Sequence, residues 1–306
     1  MLDWLATKLG RVRRHSDILN SSPAATMAET PEFASHVPDA PGFENRFVAF
    51  LDILGWRSFT NRAAELNWLR NFLFLAITDL HATTKGRLTN VLNTGRTVQA
   101  TLDAQVSQFS DTIVISANAT SDEHAAFGFL LEVGAVCRGC LFYGLLLRGG
   151  ISIGPMYHRD SLAFGPALTE AYDLESKVAR FPRVVLHPNW YDHASDVPSL
   201  VDSDIQTYHV LRKADDGLFF LDYLHPLVRP MHSTLPRRDT LEQFLKPAYR
   251  LAMDGLRVFA KDSKTREKYV WLATYYNEVL AELPSSELQP IDVLALDQPE
   301  HGHGAS

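Results

Sequence analysis

From residue 46 the chain turns from polar to strongly patterned. Residues 47–55, FVAFLDILG, are almost continuously apolar with a single acid among them, which predicts a buried central strand. Residues 56–83 carry apolar side chains at helical spacing (Leu66, Leu69, Phe72, Leu73, Ala76, Leu80). Residues 97–102 and 107–117 predict two strands joined through Asp103 and Ala104. A helix follows over about 122–140, a long strand within 141–158, a helix over 168–180 and a short strand in PRVVLHP. TYHVLRK and GLFFLDYL predict a last strand pair turning at Asp216-Gly217. This order predicts an α+β fold, a mostly antiparallel sheet with helices on one face.

The flanks differ. Residues 16–45 are rich in Ser, Ala, Pro, Thr and acids with little apolar periodicity, so 1–45 is expected to be a flexible leader. The patterned domain spans 46–230. Residues 231–285 form a helical extension whose second stretch, REKYVWLATYYNEVLAEL, has aromatic and aliphatic residues at helical spacing, as a packing or dimer-contact helix would. Residues 286–306 are a polar tail, and its HGHG resembles a metal tract only superficially.

Composition narrows the partners. The 306 residues are 46% hydrophobic and 21% charged, an ordinary globular balance. A net charge of −7 argues against a broad nucleic-acid-binding surface, though a small basic pocket remains possible on this count. No segment supplies the roughly 18 uninterrupted apolar residues of a membrane span. The start, MLDWLATKLGRVRRH, places apolar residues before basic ones, the reverse of a secretory signal. Cys137 and Cys140 form a C-x-x-C with no second pair and no nearby His cluster, so a reduced, structural role in a cytoplasmic protein is expected.

Two acids stand out. Asp52 lies inside FVAFLDILG and Asp111 inside QFSDTIVIS. A lone buried carboxylate is expensive, so each must be paired or face a cavity. Placed where strand meets turn, they could converge across neighbouring strands. A salt bridge or turn cap is the plain alternative for either one. Converging carboxylate oxygens suit hard divalent cations whose shells are completed by phosphate oxygens and water. Gly55, three residues past Asp52, allows a tight turn with amides aimed at phosphate. LRGGISIGP adds a glycine-rich strand with Arg148.

These runs resemble a class III nucleotide cyclase. FLDILG resembles the family's first metal motif, and FSD (Phe109 to Asp111) its second. LRGGISIGP resembles the Arg-x-Gly-Ile-x-x-Gly strand, and GPALTEAYDLE (Gly165 to Glu175) the Gly-x-x-Val-Asn-x-Ala-x-Arg-x-Glu helix. The likeness covers about residues 46–225. It implies a ferredoxin-like catalytic domain and two divalent ions, Mn²⁺ or Mg²⁺, held by Asp52, Asp111 and the Ile53 carbonyl. It also implies a head-to-tail homodimer with shared active sites.

The departures carry information. Thr169 and Asp173 stand where the family has its ribose Asn and transition-state Arg. Asp173 cannot replace a cation, so the charge needs another donor among Arg148, Arg183, Arg212 and Lys213. Arg148 is assigned to the catalytic set and Lys213 to substrate binding. The purine-reading positions hold Ser107 and Leu162, which lack the polar pairing of adenylate or guanylate enzymes. Together with KYVWLATYYN (Lys268 to Asn277), these features resemble the bacterial pyrimidine cyclases of the Pycsar anti-phage system. That resemblance implies cyclisation of UTP, or alternatively CTP, to a 3′,5′-cyclic monophosphate sensed by a separate effector protein. The substrate-contacting set is then Phe50, Ile53, Gly55, Ser107, Thr169 and Lys213. The rival readings are a degenerate cyclase-like nucleotide-binding module, a purine cyclase with an unusual pocket, and a two-metal nuclease or phosphatase. The last lacks the extra ligands expected of it.

Overall fold

A computed structural model describes residues 42–90, 103–119, 125–190, 210–224, 240–283 and 288–294. All of them fall in one compact unit that begins at Gly42. Residues 1–41 of the expected leader and most of the tail lie outside the described residues, as does the expected strand at 97–102; the leader's last residues, Glu44 and Asn45, already belong to the first strand.

The apolar run around Asp52 is strand β1 (Glu44–Ile53), and it is central. It pairs antiparallel with β3 (Thr112–Asn118) on one side and with β4 (Leu147–Arg159) on the other. β2 (Gln105–Phe109) pairs with β3, giving the order β2-β3-β1-β4. Helices fill the crossovers: α1 (Trp56–Glu65) and α2 (Asn67–Asn90) lie between β1 and β2, and α3 (Ala125–Phe142) between β3 and β4. A βαββαβ chain with this strand order is ferredoxin-like. The sheet then extends through β6 (Val184–Leu186), which runs parallel to β4, to β8 (Phe219–Leu221) and β7 (Leu211–Lys213). A short β5 (Leu162–Phe164) pairs with the far end of β4.

Alternation along β1 sorts the two faces. Phe47, Ala49, Leu51 and Ile53 join the main core with α3 and with the C-terminal helices α5 (Thr240–Val258) and α6 (Ser263–Ala281). Val48 and Phe50 face the opposite side, where the short α4 (Pro166–Asp173) lays Ala167, Leu168 and Ala171 on them. The long helices therefore gather on one face and α4 covers part of the other. α3 is the one helix among the described residues long and apolar enough to cross a membrane, but it is buried as the core helix beneath β1. Its Cys137 and Cys140 are buried free thiols, and burial pushes Cys140 up to about 12.

Several boundaries differ from the sequence expectation for physical reasons. The single strand expected over 107–117 is divided between β2 and β3 by a hairpin turn at Ser110-Asp111, where Ser110 adopts φ 58°. The predicted helix over 56–83 breaks at Leu66, which is extended. The helix predicted over 168–180 loses its α register at Leu174 and continues as a π turn through Val178. The turn at Asp216-Gly217 forms as expected, with Gly217 at φ 81°.

Candidate active site

The centre of the site is the C-terminal end of β1. Asp52 pairs in register with Thr112 of β3 and Arg148 of β4, so three strands meet at this acid. The β2–β3 turn brings Asp111 to the same end: the Ile53 N–H donates to the Asp111 carbonyl at 2.9 Å. Beyond it Gly55 adopts φ 80° and caps α1, accepting from Ser58 and Phe59 amides. This left-handed turn sends the chain sharply away from the strand end with no side chain in the way.

Electrostatically the acids form one group. Burial raises the Asp52 carboxyl above its ordinary range and Asp111 adds to this, while Arg148 and then Lys268 oppose it. Arg148 Nη2 lies 3.4 Å from Asp52 Oδ2 and also touches Glu175. Glu175 is buried, and its carboxyl is raised first by burial and further by Asp52 and Asp111. Asp52 and Glu175 thus share one guanidinium.

Glycines in β4 make this possible. A β-carbon on Gly150 would collide with the Ala171 carbonyl and stand 2.5 Å from Leu174 Cβ. Only a glycine lets α4 and its π turn press onto the strand and aim Glu175 at Arg148. π turns of this kind concentrate at functional sites, because one extra residue re-aims the side chains that follow.

The sequence-derived residues divide clearly. Asp52, Ile53, Gly55, Asp111 and Arg148 are brought together. Phe50 lies two residues back on the same face, its ring edge-on to Tyr172 at 5.4 Å. Thr169 is exposed on α4 and bonds its own helix at the Gly165 carbonyl (3.3 Å). Lys213 sits on edge strand β7, its ammonium over the Phe219 ring at 5.6 Å. Neither is hydrogen-bonded or ion-paired to the acids. Arg183 and Arg212 are spent elsewhere: Arg183 pairs with Asp216, and Arg212 with Asp222 (3.0 Å) and Glu282 (2.8 Å). That leaves Arg148 as the guanidinium at the acid pair. Asp173 pairs with Lys177 at 2.8 Å, and Leu162 is exposed.

Ser107 belongs to a directional hydrogen-bond chain. Its hydroxyl donates to the Asp160 carbonyl at 2.6 Å and meets His158 Nε2 at 2.8 Å; His158 Nδ1 meets Ser116 Oγ at 2.8 Å, which accepts from Arg46 Nε at 2.9 Å. Because the Ser107 proton goes to Asp160, Nε2 must be the donor to Ser107, and Nδ1 accepts from Ser116. Every link is satisfied only with His158 neutral. Burial, then Arg46 and Arg159, lower His158 to about 4.

Two residues of this site were visible in the sequence only as members of motifs, without a role. Glu175 closes GPALTEAYDLE and Lys268 opens KYVWLATYYN. The available signal for Glu175 was an acid following an apolar helix face; nothing local marks Lys268.

The donor set suits a hard cation. Asp52 and Asp111 offer carboxylate oxygens in a partly desolvated place. Among the described residues no group of three or more His, Cys, Asp or Glu could hold a metal. An ion held by these two carboxylates would take the rest of its shell from water or other oxygen donors.

No family model matches the chain, and no curated protein does. Among solved structures the chain is similar to the guanylyl cyclase Cya2, at 13% identity and a TM-score of 0.35, over 58% of this chain and 91% of that one. It is also similar to a class III adenylyl cyclase-like ATP-binding protein from Pseudomonas aeruginosa, at 13% identity and a TM-score of 0.38, over 59% of this chain and 39% of that one.

Proposed function

We propose that the chain is a metal-dependent nucleotide cyclase that closes a pyrimidine nucleoside triphosphate into its 3′,5′-cyclic monophosphate with release of pyrophosphate. The observation that carries this reading is the convergence of Asp52 and Asp111 at one strand end, with Arg148 beside Asp52. Asp52, Asp111 and the Ile53 carbonyl would hold two divalent ions, Mn²⁺ or Mg²⁺. When bound, such ions lower the pKa of the attacking ribose hydroxyl and neutralise charge on the phosphates.

The chain's own residues supply position and charge. The Gly55 turn leaves open space beside the strand end for a phosphate group. Arg148, held by Glu175, stands ready to stabilise negative charge developing at the α-phosphorus. Phe50, braced by Tyr172, offers an apolar surface two residues from the acid. Thr169 and Lys213 contact substrate in this reading only if a second copy completes the site, so we propose a homodimer with shared active sites. The product would act as a messenger sensed by a separate effector in anti-phage defence.

UTP is the substrate favoured by the resemblance to pyrimidine cyclases. One observation favours CTP. Ser107 stands at a base-reading position by that resemblance, and its proton is committed to the Asp160 carbonyl. The hydroxyl then keeps an acceptor lone pair but no free donor. Such a group suits the 4-amino donor of cytosine better than the 4-oxo acceptor of uracil.

Pyrophosphate release tests the assignment. The wild-type chain should release pyrophosphate from a pyrimidine triphosphate only with Mn²⁺ or Mg²⁺ present, and Asp52→Ala should abolish release without altering oligomeric state. Full turnover by Asp52→Ala would sink the reading.

A further inference from the structure

The C-terminal helix α6 packs its Trp271 against Phe181 and Phe220. The indole stacks on Phe181, with centroids 6.1 Å apart and planes 5° from parallel, and meets Phe220 edge-on at 5.5 Å. Phe181 leads into Arg183, whose carbonyl accepts from the Gly149 amide at 3.1 Å, and Gly149 follows Arg148. These contacts tie the N-terminal half of α6 to the end of β4 that carries Arg148. Asp262 caps that half by accepting from the Thr265 amide at 3.2 Å.

Lys268, three residues before Trp271, is half-buried on this segment. It senses both Asp52 and Arg148 electrostatically. Burial, then Arg148 and Lys264, press against its positive charge. Asp52 and then Asp262 favour the charge, so the ammonium rests in the field of an acid that a divalent ion would occupy. With Asp52 given over to such an ion, the ammonium would face the anion that accompanies it. Asp52 and Asp111 would hold the divalent ions, and the anion that arrives with such ions is a polyphosphate.

We infer that Lys268 contacts the polyphosphate of the bound nucleotide, so that the C-terminal helix forms part of the substrate site. The inference rests on the metal–triphosphate reading above and goes beyond it by placing a substrate contact outside the ferredoxin-like core. Lysine suits the task as a compact charge on a flexible stem that reaches a phosphate without bidentate geometry.

The test uses the full chain with Lys268→Gln and Lys268→Arg. Steady-state kinetics on the preferred triphosphate with Mn²⁺ are read beside pyrophosphate product inhibition and thermal midpoint. Lys268→Gln should raise KM about tenfold, the loss of one charged phosphate contact. It should weaken pyrophosphate inhibition by a similar factor, change kcat less and leave the midpoint unchanged. Lys268→Arg should recover most of the affinity. Unchanged KM and inhibition in Lys268→Gln, in an active enzyme, would overturn the inference while leaving the cyclase reading intact. A loss of affinity that tracks a fall in midpoint and is not recovered by Arg would also overturn it, since that marks a packing role. Were the wild type to turn over no triphosphate, the cyclase reading would fail by itself. Calorimetric binding of pyrophosphate to the Mn²⁺-loaded chains would then decide for Lys268, with equal affinity of wild type and Lys268→Gln counting against it.

Discussion

His158 shows how one side chain can be fixed in a single charge state by its neighbours. Ser116 donates to one ring nitrogen and Ser107 accepts from the other, and Ser107 has already given its proton to Asp160. A second ring proton would face the Ser116 hydroxyl head-on, beside the buried Arg46. The folded value of about 4 lies below the ordinary 6.5. The unfolded chain therefore takes up the proton first as pH falls. The contribution to stability is complete above pH 6.5 and is lost progressively toward pH 4, by about 3 kcal/mol. Denaturant unfolding of the wild type and of His158→Gln across this window should give curves that converge as the pH drops. Parallel curves would show that His158 does not titrate there.

At the scale of elements, the contact between β4 and the α4–π segment carries the site. Gly150 has no room for a β-carbon against Ala171 and Leu174. Gly150→Ala should therefore push the segment off the strand at a cost of about 1–3 kcal/mol, measured by urea unfolding. It should lower activity more than that loss explains, because Glu175 no longer holds Arg148. A stable, fully active Gly150→Ala would contradict this coupling. Elements of this kind were unevenly legible in the sequence. β1 could be read because one acid interrupts an otherwise apolar run, and the same anomaly marked Asp52. A turn beside Asp111 was expected, but its position inside residues 107–117 was not, because no glycine announces it; the positive φ falls on a serine. The π turn was hidden too, since a one-residue change of register leaves the apolar pattern of residues 168–178 intact. The break at Leu66 likewise interrupts a periodicity that reads as continuous.

At the scale of the molecule, the C-terminal helices share one core with the sheet. α6 is latched by polar contacts as well as by packing: the buried Tyr275 hydroxyl donates to Asp222 at 2.5 Å and accepts from the Leu224 amide at 2.9 Å. Tyr275→Phe keeps the ring but leaves a carboxylate oxygen and an amide unpaired in the interior. A loss on the order of 2 kcal/mol is expected by denaturant unfolding, and a neutral result would show that water replaces the hydroxyl. This latch explains why the role of Lys268 could not be read from sequence. Its neighbours Asp52 and Arg148 are reached only by folding the end of the chain back across the whole sheet, and no local pattern encodes that return. Asp52, Asp111 and Arg148, by contrast, could be singled out because each stands out in its own strand or turn. The product formed from a nucleoside triphosphate tests the proposed role of the acid pair directly. Purified protein given ATP, GTP, CTP and UTP separately with Mn²⁺, with the products resolved by mass spectrometry, should yield cyclic UMP or cyclic CMP together with pyrophosphate. Linear nucleotides alone, or no product from any of the four, would contradict it.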